Sequence, residues 1–128
     1  MKLIVLDTNA LLRFILNDIP HQKKTIEKVL LQAKQEEIHI IVPQIVIFEL
    51  HFALDKYYSF SKEDIIFRLK AILAASYLDI QDRDILRTAL SLYTQETVSF
   101  VDCFLFAKSQ MENAELFTFD KKLQKIRI

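Results

Sequence analysis

The chain has 128 residues, 52% of them hydrophobic, which suits one domain with a real core and is too apolar for a disordered segment. Lys plus Arg number 17 and Asp plus Glu number 17, so the formal net charge is zero and a histone-like, charge-driven nucleic-acid binder is excluded. The single cysteine, Cys103, excludes an intrachain disulfide, and the complete lack of glycine excludes a glycine-rich phosphate loop.

Residues 2–6 are a short apolar run with β-branched content and read as strand 1. Asn9 is a candidate N-cap for a helix through Leu16, ended by the Asn17-Asp18-Ile19-Pro20 turn. Apolar spacing at Ile26, Val29, Leu30 and Ala33 predicts an amphipathic helix over 21–36. Residues 38–42 read as strand 2, closed by Pro43, which opens a helix to about Tyr57. Ser61 begins a near capping box for a helix over 62–75. Residues 77–80 are a weak strand 3, Asp82 is the expected N-cap of a helix through Tyr93, and Ser99 starts another through about Asn113. Residues 115–119 read as strand 4, and 126–128 as a candidate last edge strand.

Strands alternating with helices predict a single α/β domain over 1–128 with a mostly parallel sheet. Such sheets bind ligands outside the carboxyl ends of their strands. Cys103 lies in an apolar helix, where a buried small hydrophobe is the expected role. No basic-then-apolar leader opens the chain and no apolar run approaches membrane-spanning length, so a soluble cytoplasmic protein is the expectation.

Four acids stand where chemistry is expected. Asp7 follows strand 1 directly, and Asp120 ends the run Leu116-Phe117-Thr118-Phe119. Each has an ordinary alternative: Asp7 as a helix N-cap, Asp120 as a surface turn beside Lys121 and Lys122. Asn9 competes with Asp7 for the cap. Glu49 lies about 160° around its helix from His51, taken with Gln44 and Asp55 as the polar face, so it is expected on the core side. An unpaired carboxylate there costs several kcal/mol, which favours a pocket role. Asp102 fits a capping box after Ser99, with Asp in place of Glu. Together the four suggest one acidic pocket, most simply explained by a divalent cation and a phosphate-containing substrate. Hard oxygen donors select Mg²⁺ or Mn²⁺, and no two histidines show metal-ligand spacing.

The ordered set Asp7-Thr8-Asn9 with Leu11-Leu12-Arg13, Glu49-Leu50, Phe100-Val101-Asp102 with Ala107, and Thr118-Phe119-Asp120-Lys121 resembles PIN-domain ribonucleases, above all VapC-type toxins of toxin–antitoxin pairs. It covers essentially the whole chain. The resemblance implies a three-layer α/β/α PIN-like domain with a mostly parallel sheet in strand order 3-2-1-4-5. It implies a Mg²⁺- or Mn²⁺-dependent endoribonuclease acting on RNA, a homodimer, and a small antitoxin that blocks the site. Asp7 and Asp102 match the family's usual metal pair, Glu49 and Asp120 its other two acids, and Thr8, Asn9 and Thr118 its supporting polar positions. Rivals stand beside this reading, among them a haloacid-dehalogenase-like phosphatase, which needs Asp-x-Asp after strand 1 where Asn9 replaces the second Asp. A phosphorylation receiver domain needs paired acids after strand 1, where Asp7 is followed by Thr8 and Asn9. The third is a non-catalytic binding protein that keeps the PIN fold.

Overall fold

The computed structural model describes residues 1–126. It divides into two compact units, Met1–Gln81 and Asp82–Ile128.

In the first unit the chain alternates strand and helix pair. β1 (Lys2–Val5) is followed by α1 (Thr8–Ile15) and α2 (Pro20–Lys34), β2 (Ile38–Val42) by α3 (Gln44–Lys56) and α4 (Lys62–Leu73), and then comes β3 (Leu78–Ile80). Parallel neighbours require such long crossovers. β1 pairs with β2 in parallel, with Lys2 opposite Ile38 and Val5 opposite Ile41. β2 pairs with β3 in parallel, with Ile40 opposite Leu78 and Val42 opposite Ile80. The α/β class and the parallel sheet are as the sequence predicts, and the three strands lie in the 3-2-1 order that the resemblance implies.

The two-residue period of a strand decides which side of this sheet is covered. Ile38, Ile40, Val42, Leu78 and Ile80 are all buried. On the opposite face Leu3 and Val5 are exposed, and His39 meets Asp79 at 2.9 Å across β2 and β3. The helices supply the rest of the core through Leu11, Leu30, Ile47, Leu50, Leu54 and Leu69. Pro43 takes the N-cap position of α3, where its missing N–H costs nothing. Ser61 Oγ accepts from Asp64 N–H and caps α4 as expected.

The second unit packs α5 (Arg83–Gln95) against α6 (Phe100–Met111), and α6 also contacts the short α7 (Lys121–Gln124). Leu86, Ala89, Phe100, Cys103 and Ala107 are buried there, with Tyr93 and Phe100 rings 5.7 Å apart. Cys103 is the small buried hydrophobe that its setting predicts. Among the described residues no helix is long and apolar enough to cross a membrane.

Two sequence expectations are met only in part. Residues 115–119 form no strand among the described residues, because a strand is defined by ladder partners and not by alternation alone. Thr118 instead bonds locally: its hydroxyl accepts from Asp120 N–H (3.0 Å) and its carbonyl accepts from the Gln124 amide (2.7 Å). Asp82 stands at the N-cap position of α5 but in the left-handed region (φ 58°), with no side-chain cap bond. The candidate strand at 126–128 falls largely outside the described residues.

A chain without glycine must place other residues at left-handed positions. Glu36, Ser59, Asp82 and Asn113 occupy them. Glu36 and Asn113 close α2 and α6 in the same way: Glu37 N–H reaches Gln32 O and Glu36 N–H reaches Ala33 O, while Ala114 N–H reaches Ser109 O and Asn113 N–H reaches Gln110 O. This paired 6→1 and 5→2 pattern is a Schellman motif.

Candidate functional site

Asp7 lies just beyond the carboxyl end of β1, the edge at which parallel sheets bind ligands. Its backbone is extended (φ −93°, ψ 172°), and its Oδ1 accepts from Ala10 N–H at 2.9 Å. Asp7 is therefore the N-cap of α1, and Asn9, the competing candidate, is already the second helical residue. Only one carboxylate oxygen is engaged; Oδ2 has no partner among the described residues. Asp7 and Asn9 are exposed and Thr8 is half-buried.

The loops after β2 and β3 meet at the same edge, where Gln44 N–H donates to Gln81 Oε1 at 3.0 Å. α1 and α3 leave the neighbouring strands β1 and β2 from this edge and pack on one another. Glu49 rides on α3, and its carboxylate has no hydrogen bond or ion pair among the described residues. Its expected position is corrected: Glu49 is exposed, between exposed Ile45 and Phe52, while Val46, Ile47, Leu50, Ala53 and Leu54 form the buried stripe. His51 is the half-buried polar residue instead. Burial pushes its imidazole below the ordinary 6.5, against the pull of Asp55 and with a smaller push from Lys56.

Asp102 is the third residue of α6. Its N–H donates to Ser99 Oγ at 3.1 Å, which forms one half of the expected capping box. The other half does not form, so the half-buried carboxylate is left without a partner among the described residues. Asp120 is the N-cap of α7, its Oδ1 accepting from Leu123 N–H at 3.0 Å.

All three aspartates thus sit at helix starts, where backbone N–H groups point outward and the helix dipole favours negative charge. The acids divide two and two, Asp7 and Glu49 in the first unit, Asp102 and Asp120 in the second. Among the described residues, neither unit by itself gathers three or more His, Cys, Asp or Glu into one metal-holding group. Their donor chemistry is uniform: carboxylate oxygens, with two of the four groups wholly unengaged among the described residues and two with one oxygen left. Such hard donors fit Mg²⁺ or Mn²⁺ and suit zinc poorly.

Arg13 is a feature that periodicity does not reveal. Its side chain is only 11% exposed, and its guanidinium bonds Asp18 Oδ2 at 2.9 Å and the Tyr58 hydroxyl at 3.2 Å. Nε is buried without a partner. Arg13 therefore ties α1 to the turn that follows it and to the end of α3. It also lines, with Asp7, a cavity of about 480 Å³ in the first unit.

Comparison with known proteins follows the same residues from end to end. The PIN domain family matches residues 4–128. A VapC ribonuclease from Aquifex aeolicus (strain VF5) is 30% identical over 127 residues, covering 98% of this chain and 92% of that protein. A solved toxin–antitoxin complex from Klebsiella pneumoniae aligns over 98% of this chain and 92% of its own, at TM-score 0.34 and 19% identity, and carries no argument about fold or partner. Family match and near-full-length relative agree: the chain belongs to the PIN-domain family.

Proposed function

We propose that this protein is a metal-dependent endoribonuclease that hydrolyses RNA phosphodiester bonds, with Asp7, Glu49, Asp102 and Asp120 as its catalytic acids. The likeness to a VapC ribonuclease along nearly the whole chain carries this reading. The donor set supports it: four carboxylates, each with at least one oxygen unengaged, and no thiol or imidazole set in competition.

Asp7 and Asp102 would hold Mg²⁺ or Mn²⁺, joined by Asp120 and Glu49. When bound, the ion supplies an acidified water and neutralises charge on the phosphate oxygens. The chain's own contribution is orientation. The caps at Asp7 and Asp120 fix each carboxylate through one oxygen and leave the other to face a ligand. Thr8, Asn9 and Thr118 are the supporting polar groups that order neighbouring water and carboxylates. In the same reading the protein is a cytoplasmic homodimer, the toxin of a toxin–antitoxin pair, and a small antitoxin restrains it.

RNA cleavage by the purified chain in Mn²⁺ tests this. Asp102→Asn keeps the side chain's shape and removes its charge. Cleavage is expected to fall by at least a thousandfold, on the order of 4 kcal/mol of transition-state stabilisation. An Asp102→Asn protein that cuts RNA as the wild type does would overturn the assignment.

A further inference from the structure

Apart from Asp7 and Asn9, the residues lining the cavity beside Asp7 have no part in the proposed metal chemistry. Leu6 of the segment leaving β1 and Ile26 and Val29 of α2 make apolar walls. Asp7, Gln22 and Thr25 make a polar rim. The Gln22 amide has no partner among the described residues. Thr25 donates its hydroxyl to His21 O at 3.0 Å, which leaves its oxygen free to accept. Arg13, held in one orientation by Asp18 and Tyr58, also contributes to the lining.

We propose that this cavity receives one unstacked nucleobase of the RNA strand, adjacent to the phosphate handled at Asp7. The proposal rests on the ribonuclease reading above and adds a recognition subsite to it. Bases splayed out of a single strand are bound between apolar or aromatic side chains and guanidinium planes, and read along their edges by amides and hydroxyls. The cavity offers apolar walls with an amide and a hydroxyl at its rim. Its volume of about 480 Å³ lies in the range of small-molecule pockets and exceeds what a single base needs. Asp7 on the rim ties the subsite to the reacting phosphate, since base and phosphate belong to the same or the next nucleotide.

The test uses short homopolymeric RNAs of A, C, G and U, each also made with single abasic nucleotides. Binding to the full chain is measured in EDTA, and cleavage in Mn²⁺. An abasic nucleotide at one position next to the cut is expected to weaken binding roughly tenfold. Thr25→Trp fills the cavity from an exposed position and is expected to erase this difference, binding intact and abasic RNA alike. Gln22→Ala, a milder change at an exposed site, is expected to narrow the preference among the four bases. Circular dichroism establishes that both variants are folded. Equal wild-type affinity for intact and abasic strands overturns the pocket, as does full discrimination by folded Thr25→Trp, even where Asp7-dependent cleavage persists. Base discrimination that Thr25→Trp abolishes, without any metal-dependent cleavage, supports the pocket and overturns the ribonuclease reading.

Discussion

At Asp7 the observed cap and the proposed ligand role are separated by different substitutions. Asparagine keeps a cap oxygen for Ala10 N–H but removes the charge; alanine removes both. Asp7→Asn is therefore expected to abolish RNA cleavage without loss of thermal stability, whereas Asp7→Ala loses cleavage and about 1 kcal/mol of stability as well. Denaturant titration of both variants, run beside the cleavage assay, checks the split. Equal destabilisation by both would place the carboxylate's charge, not its cap, at the root of its structural role. His51 gives a second test at this scale. Burial disfavours its cation, so the unfolded chain binds a proton more readily than the folded one. Stability is therefore expected to be full above the ordinary value of 6.5 and to decline as pH falls through that value toward the lower folded one. His51→Gln should flatten this slope between about pH 7 and 5 in urea titrations. The sequence made Asp7 visible through the strand before it, but it left Asp7 and Asn9 competing for the cap. Asp and Asn cap comparably, and helix starts drift by a residue or two. Glu49 was misplaced for a different reason. α3 is apolar nearly all the way round, with Ile45, Val46, Ile47, Phe48 and Phe52 spanning opposite sides, so its pattern does not specify which stripe is buried.

The elements differ in how far local chemistry determines them. β2 is legible because Ile38, Ile40, Ile41 and Val42 are β-branched, and its burial alternates with period two. The helices after Ser61 and Ser99 are legible because their caps are local, and both serine hydroxyls bond the third helical residue's N–H as expected. Residues 115–119 are not legible in the same way. Their alternation leaves Phe117 and Phe119 exposed, with rings 5.4 Å apart, because no ladder partner holds them among the described residues. Left-handed residues are equally hidden in a chain with no glycine to mark them. Glu36 is the least suited of these, since a side chain at φ 61° crowds its own carbonyl by roughly 1–2 kcal/mol, where Asn113 is better tolerated. Glu36→Gly is therefore expected to raise stability by about 0.5–1 kcal/mol, the relief of strain exceeding the added freedom of the unfolded chain. Glu37→Gly, at the exposed bend one residue on, where φ is not positive, offers no such gain and is the control. Chemical denaturation of the two variants decides it.

For the whole molecule, charge balance conceals an uneven distribution of roles. The chain carries equal numbers of acidic and basic residues, yet four of the 17 acids are assigned to one function, leaving 13 against 17 bases elsewhere. If those four share a cation, folding and metal binding are linked. The ion binds the native state and not the unfolded chain, so it stabilises the fold by mass action. At about a hundredfold excess over Kd this amounts to roughly 2.7 kcal/mol, a rise in melting midpoint on the order of 10 °C for a chain of this length. Without the ion, like charges that act together repel, so the metal-free wild type is expected to melt below metal-free Asp102→Asn. Adding Mn²⁺ should reverse that order, because only the wild type retains its full ligand set. Asp102 is the informative position: its carboxylate has no cap to lose, so any change on amidation reports charge and ligation alone. Melting curves of wild type, Asp7→Asn and Asp102→Asn in EDTA and in Mn²⁺ give the crossing directly. Identical Mn²⁺ shifts in all three proteins would mean that the ion binds elsewhere and would remove Asp7 and Asp102 from its coordination.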